Sequence, residues 1–389
     1  MMVRGYLTVP RPEDIIYAPI DLAVAIAEGL AKRGHQVDFF APLGSRLHQA
    51  HVETLNMRPL AKNEAEFRQM VVDPGLRGHV QPALWDGYMA AEMFKRASEG
   101  AYDLLYFHHA EAALPFVRRN PKTPVVYTMN DPIDAWYREL FELYQSPNQH
   151  FVSISNNQRR DAPDLPYAAT VYNGVNPDYF EFSAEAEDYL LIAGRIIPEK
   201  GFKEAIDLAK ATDHRLLIIG PVYPDMQGYF DQYIKPQLSE KILYLGAMEQ
   251  SQLVRYYQKA KAFITPIQWE EPFGLTTIEA MCCGTPVISL HRGAAPEIIK
   301  NGKTGFVVHS MGEMAEAVGR IDTIKRADCR KHVKAHFATK CMVDNYEKVF
   351  REIVATSTPA RRLQRKVTGR LQQSLNLTTK TVRKNLRPR

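Results

Sequence analysis

The 389-residue chain is poor in cysteine: it has four (Cys282, Cys283, Cys329 and Cys341), none in C-x-x-C spacing. Adjacent Cys282 and Cys283 are poor partners for each other, which excludes a disulfide scaffold and leaves free thiols in a reducing cytoplasm as the expectation. Long apolar runs are missing too. The longest, Ile15–Ala31, carries Asp21 and Glu28 and falls short of a membrane-spanning helix. The start, MMVRGYLTVPRPED, has no apolar core of signal-peptide length and no small-residue cleavage site. No Asp-x-Asp pair and no His/Cys cluster offers a metal site, and the body has no low-complexity tract or internal repeat. One absence is local. From Ala355 onward there are ten Lys/Arg and no Asp/Glu, leaving 39 basic against 44 acidic residues before it. The net charge of +5 is therefore an acidic body joined to a basic tail.

What is present describes a globular protein, 45% hydrophobic and 24% charged, too long for one ordinary core. Short β-branched runs alternate with helix-length segments. Strands are expected at Val3–Leu7, Val37–Phe40, Leu104–Phe107, Val125–Thr128, Phe151–Ser155 and Thr170–Tyr172. A second series covers Tyr189–Ala193, Leu216–Ile219, Ile242–Leu245, Ala262–Thr265, Val287–Leu290 and Phe306–Val308. Amphipathic segments such as Ile20–Lys32, Phe202–Lys210, Gln252–Lys259 and Met314–Ile321 lie between them. This alternation predicts βαβ units and parallel sheets. Two series joined near Asn176–Glu187 predict an α/β protein of two doubly wound, Rossmann-like domains facing across a cleft. A ligand would sit there at the carboxyl ends of the strands.

The segment 359–389 places Leu363, Val367, Leu371 and Leu375 four apart among arginines and lysines. A solvated cationic tail and a basic helix on an anionic membrane surface both fit this pattern, and specific nucleic-acid binding fits it less well. The expected location is the cytoplasm, with the inner membrane face as the alternative.

Two stretches carry chemistry. In LLIAGRIIPEKGF a strand runs into Gly194, followed by Arg195, then Lys200 and Gly201 before a helix. An arginine fork and a compact lysine charge on a strand-to-helix loop suit a diphosphate, although surface loops also carry such pairs by chance. In EEPFGLTTIEAMCCGTPVI, residues 270–288, a helix is expected to begin around Leu275–Thr276, with Gly274 allowing close backbone approach. Its first amides favour an anionic group. Glu271 precedes that helix and Glu279 lies inside it. Eight helical residues span about 12 Å. Carboxylates flanking one glycosidic bond sit about 5–9.5 Å apart. The pair therefore reads as two handles on a long ligand, with a solvated helix face as the plain alternative.

EPFGLTTIEAMCCGTPVI, with HRGAAPEIIKNGKTGFVV after it, resembles the signature of the retaining GT-B glycosyltransferases of family 4 (glycosyl transferases group 1). GRIIPEKG is similar to that family's diphosphate loop, and VYNGVNPDYF to the segment closing its first domain. AEGLAKRGHQVDFFAP and FATKCMVDNYEKVF resemble its first helix with the second strand and its terminal crossing helix. The likeness covers about residues 1–353 and implies an acceptor-binding domain over 1–176 and a donor-binding domain over 187–336. A helix at 337–354 would cross back, and 355–389 would be the tail.

The implied activity is transfer of a hexose, with retention, from a nucleotide sugar (a UDP- or GDP-hexose) to a hydroxyl acceptor, with no metal and no other cofactor. Arg195 and Lys200 would neutralise the diphosphate. Glu271 would contact the sugar hydroxyls, helped by amides near Gly274, Leu275 and Thr276, and Glu279 would bind the ribose. Gly194 would lie beside the phosphates, and the base beside the loop after Leu245–Gly246.

Two positions depart from the family. Asn130, in VVYTMNDP, stands where the family commonly has a histidine; it can bond a hydroxyl but cannot act as acid or base. His108 and His109, at the end of a strand, could share that task or be structural. Tyr17-Ala18 replaces the Gly-Gly loop before the first helix, with Pro19 at the first helical position. The resemblance therefore leaves two other readings open: a nucleotide-sugar epimerase of the same fold, and a non-catalytic nucleotide-sugar binding protein.

Overall fold

The computed structural model describes residues 1–12, 15, 17–73 and 75–357. Nearly all of the basic tail, including the whole of 359–389, lies outside the described residues. The described residues form twelve strands: β1 (Asp38–Phe40), β2 (His51–Glu53), β3 (Leu105–Phe107), β4 (Val125–Thr128), β5 (Gln149–Ser153), β6 (Tyr167–Thr170), β7 (Tyr189–Ala193), β8 (Arg215–Ile219), β9 (Ile242–Tyr244), β10 (Ala262–Thr265), β11 (Val287–Leu290) and β12 (Gly305–Val308). Every ladder is parallel. In the first half β3-β4-β5-β6 form one sheet, and Met2 bridges Phe107 of β3 to Phe40 of β1, which pairs with β2. In the second half the order is β12-β11-β10-β7-β8-β9. Central strands such as YLLIA and AFIT are buried along their whole length, as a parallel sheet covered on both faces demands. Two doubly wound domains result, the fold expected from the alternation.

The expected strand Val3–Leu7 does not form. Its chain turns at Gly5, whose amide donates to Asp86 Oδ1 at 2.6 Å, so the backbone bonds a side chain in place of a neighbouring strand. Val3 and Leu7 remain core residues. Three-residue β2 has no apolar alternation, and β6 starts three residues before its expected position. Helices Ala18–Ala31, Phe202–Ala211, Gln250–Lys259 and Met311–Arg320 match the amphipathic segments to within about one turn. Pro19 falls one residue inside the first helix rather than at its start.

Two chain crossings join the halves. Val175 N–H donates to Phe337 O and Thr339 N–H donates to Val175 O, at 2.9 and 2.8 Å. At Gly174 a Cβ would stand 2.9 Å from the Ala338 carbonyl, so only glycine fits. Beyond this point the helix Thr339–Thr356 returns to the first domain. Val343 packs on Gly29, and Arg33 reaches Glu347 and Asp344 at 2.7 and 2.5 Å. Hydrogen bonds from His35, Arg351 and Arg33 hold the Glu347 carboxyl down to about 2.

Candidate active site

The carboxyl ends of β7, β8 and β9 carry Gly194, Gly220 and Gly246, all with positive φ. Gly194 N–H donates to Ile219 O, and Gly220 N–H donates to Gly246 O. A Cβ on Gly220 would collide with the Gly194 carbonyl. These strand ends form a ledge without side chains where a ligand can approach backbone. Gly220 was missed in the sequence, although the Gly-Pro step directly after a strand was its signal.

Arg195 follows the first glycine and is exposed. Among the described residues it makes no hydrogen bond or ion pair. Burial raises the carboxyl of Asp131 on the first domain, and the charges of Arg4 and Arg195 oppose that shift. Lys200 ends a single 3₁₀ turn and is fixed by Gly201, whose left-handed backbone (φ 75°) lies against the Pro266 carbonyl with no room for a Cβ. Its Nζ donates to Glu271 Oε2 at 2.5 Å, and Trp269 Nε1 donates to the same oxygen at 2.8 Å. The two groups read as separate contacts to diphosphate and sugar are thus paired with each other.

Glu271 is positioned by its backbone. Ala294 N–H donates to Glu271 O at 3.0 Å, and Gly293 (φ 56°) passes so close to Glu271 that a Cβ would collide. Glu270 has a clear structural role. Its carboxylate accepts from Gly293 N–H at 2.7 Å and pairs with Arg160 of the first domain at 3.1 Å. The helix then runs from Leu275 to Cys282, entered through Gly274 at φ 101°. Leu275 and Thr276 are its first two residues, so their amides have no intrahelical partner and face the glutamate loop.

Glu279 occupies a different environment. It is buried, accepts from Gln250 Nε2 at 3.0 Å and Tyr257 O–H at 3.1 Å, and burial pushes its carboxyl up to about 7. Cys282 and Cys283 behind it are packed in the core, and desolvation raises their thiols.

On the opposite wall, Asn130 Nδ2 lies 3.4 Å from His108 Nδ1. Among the described residues both groups keep a buried atom without a partner, Asn130 Oδ1 and His108 Nε2, as does Glu111 at Oε2. Burial, then the nearby terminal ammonium, lowers His108 to about 3, and burial with Arg4 holds His109 far below its ordinary range. Both imidazoles are neutral. His109 Nε2 meets the Tyr17 hydroxyl, which also accepts from Arg4 Nε at 3.4 Å, while Arg4 pairs with Asp86 at 3.1 Å. Tyr17 has φ −147°, outside the left-handed region, so its backbone does not itself require glycine. The chain Asp86–Arg4–Tyr17–His109 links residues that sequence spacing could not connect.

The second of two Rossmann-like domains thus brings a cationic loop, a glutamate and a helix N-terminus to one strand edge that faces the first domain. The family model described as "Glycosyl transferases group 1" matches residues 179–335, and "Glycosyltransferase Family 4" matches 22–179. The chain belongs to these family 4 type GT-B glycosyltransferases and is a transferase. It is 24% identical to an uncharacterized glycosyltransferase of Methanocaldococcus jannaschii over 73% of this chain and 79% of that protein. It is 33% identical to the D-inositol 3-phosphate glycosyltransferase of Mycobacterium sp. (strain KMS), over 39% of this chain and 36% of that one. In fold it is similar to sucrose-phosphate synthase from Thermosynechococcus elongatus (TM-score 0.69, 17% identity, 91% and 98% covered). It is also similar to Anabaena HepE, solved in complex with UDP and glucose (TM-score 0.64, 16% identity, 89% and 97% covered).

Proposed function

We propose that the protein transfers a hexose, with retention of anomeric configuration, from a UDP- or GDP-hexose to a hydroxyl acceptor. The observation that carries this reading is the Lys200–Glu271–Trp269 cluster beside unpaired Arg195, at the glycine ledge and the start of helix Leu275–Cys282. A donor diphosphate entering this corner meets Arg195, Lys200 and the amides of Leu275 and Thr276. Lys200 exchanges Glu271 for phosphate, which frees a Glu271 oxygen to accept from a sugar hydroxyl. As the C1–O bond to diphosphate breaks, negative charge grows where these preorganised cations and amides already point. The acceptor oxygen forms the new C1–O bond on the same face, and its proton passes to the leaving diphosphate. The chain's own groups complete this scheme without a metal.

On the first domain, Asn130 Oδ1 and His108 Nε2 are buried atoms for which a hydroxyl of the bound sugar or acceptor would be a partner. Tyr17 and His109 fix the wall beside them. His108 and His109 are neutral at ordinary pH, each with one N–H and one acceptor nitrogen, and so orient hydroxyls without acting as imidazolium acids.

The test is donor binding followed by turnover. UDP- or GDP-hexose should raise the unfolding temperature of wild-type protein, as a ligand held only by the folded state must. Lys200→Ala should keep the fold and lower turnover by about 10²–10³-fold, the size of one lost charge-stabilising donor. Unchanged turnover in Lys200→Ala would sink this assignment, and an epimerised donor without acceptor would replace transfer with isomerisation.

A further inference from the structure

On the first domain's wall the transfer scheme gives Asn130 and His108 a task but leaves Glu111 without one. Glu111 lies in the first turn of the helix Ala110–Val117, two residues after His109 and at the carboxyl end of β3. Its Oε1 accepts from the Tyr137 hydroxyl at 2.6 Å, while Oε2 is buried with no donor among the described residues. A buried carboxylate oxygen without a donor is costly, so a ligand O–H or N–H is its natural complement. Asn130 Oδ1 and His108 Nε2, at the ends of β4 and β3, are undersatisfied in the same way.

Tyr137 connects this carboxylate to an indole. Trp136, beside it in the first turn of the helix Ala135–Leu143, is 55% exposed, with ring centroids 5.0 Å apart. That helix begins seven residues after β4, on the carboxyl-end side of the sheet where the cleft lies. An exposed indole one side chain away from an undersatisfied carboxylate offers an apolar face beside hydrogen-bond acceptors. A pyranose ring has the matching surface, with C–H groups on its face and hydroxyls around its edge.

Charge narrows the class further. Burial raises the phenols of Tyr6 and Tyr137, and the charges next in effect on them are those of Arg4, Glu111, Asp86 and Asp131. Arg4 is already paired with Asp86 at 3.1 Å, so one cation stands among three carboxylates. Across the cleft, Arg195 is taken by the donor diphosphate in the proposed reaction. A phosphate or carboxylate on the acceptor would therefore meet like charge, whereas hydroxyls would meet acceptors. We infer that Glu111, with Asp131 and Trp136, forms an acceptor subsite that selects an uncharged saccharide over a phosphorylated or carboxylated one. This rests on the transfer reading and deepens it by naming the acceptor class. Trp136 carries the ring, Glu111 Oε2 accepts from a hydroxyl, and Tyr137 is a positioning residue for Glu111.

The experiment measures transfer by mass spectrometry, with UDP- and GDP-hexose donors and methyl hexosides, octyl hexosides and methyl hexoside 6-phosphates as acceptors. Wild type should glycosylate at least one uncharged hexoside, with at least tenfold lower kcat/KM for its 6-phosphate. Glu111→Gln should raise KM for that hexoside about tenfold, change kcat less, and narrow the discrimination against phosphate. A merely structural role would not move that last ratio. Trp136→Ala, at an exposed position that spares the fold, should raise KM several-fold. Tyr137→Phe should give a smaller rise. A lower KM for the octyl than for the methyl hexoside assigns the saccharide to a lipid, and equal values assign it to a free sugar. Preference for the 6-phosphate would overturn the inference, as would unaltered KM in both Glu111→Gln and Trp136→Ala. Wild-type protein stabilised by donor that transfers to no uncharged hexoside would overturn it too. Absence of donor stabilisation would instead strike the transfer reading itself, so the two failures remain distinguishable.

Discussion

Glu279 shows how one residue can be placed correctly by sequence while its chemistry stays hidden. Its spacing from Glu271 was readable, but the burial that moves its carboxyl to about 7 comes from Tyr257 and Gln250, more than twenty residues upstream. The sign of the consequence is definite. The folded value lies above the ordinary 4.5, so an unfolded chain releases this proton first. Stability from Glu279 is therefore full below about 4.5 and is lost as pH rises through about 7. A ribose hydroxyl held by Glu279, as the family resemblance implies, would donate to the carboxylate, so nucleotide binding should favour the ionised form and release a proton. Nucleotide affinity should fall about tenfold between pH 8 and pH 6, in proportion to the ionised fraction. Calorimetry in two buffers of different ionisation enthalpy checks the proton release, and Glu279→Gln should abolish the pH dependence. Equal affinity of wild type at both pH values would remove the ribose contact from Glu279.

At the scale of elements, the short helix Ala295–Ile298 joins the donor loop to the opposite domain. Its Glu297 accepts from Asn156 N–H, Asn156 Nδ2, Asn157 N–H and the Tyr172 hydroxyl, at 2.8–2.9 Å. A few residues earlier, Gly293 and Ala294 hold Glu270 and Glu271. Glu297→Ala should leave each domain folded, since it removes contacts between domains, and should raise the donor Kd several-fold. A donor titration beside urea unfolding checks this, and an unchanged Kd would uncouple the two sites. The second-domain strands were legible because parallel buried strands are continuous apolar runs. The loops that carry Arg195 with Lys200 and Glu270 with Glu271 were legible because glycine, proline and charge cluster in short windows there. Val3–Leu7 was misread because a buried carboxylate from residue 86 takes its amide, and no local window contains that competition. The Asp86–Arg4–Tyr17–His109 chain was invisible for the same reason.

For the whole molecule, the question is how the halves close on a ligand. They meet at the paired segments around Val175 and Ala338, at Glu297, and at the Arg160–Glu270 ion pair. On the cleft's outer side Arg68, from helix Glu64–Val72, stacks over the ring of Tyr223 in the loop after β8. This contact is available only when the domains approach, and Tyr223 lies near enough to feel Arg195. Arg68→Ala should shift the population towards an open form, increase the radius of gyration of the free protein in small-angle scattering, and weaken donor binding several-fold. Scattering curves that do not change would show that the clasp sets no domain angle.

The ledge of Gly194, Gly220 and Gly246 bears on how this cleft can diversify. The three strand-end glycines all hold positive φ, which strains any other residue there, and at Gly220 a Cβ would also strike the Gly194 carbonyl. Replacing Gly220 would destroy the edge before it altered preference. New donor selectivity must therefore be sought in the flanking loops, 221–227 and 247–249, leaving out Val222 and Met248, which pack on the second-domain core, Tyr223, which carries Arg68, and Glu249, which caps the helix Gln250–Lys259. A variant library confined to the other six positions is the one in which altered sugar-nucleotide choice and intact folding can occur together.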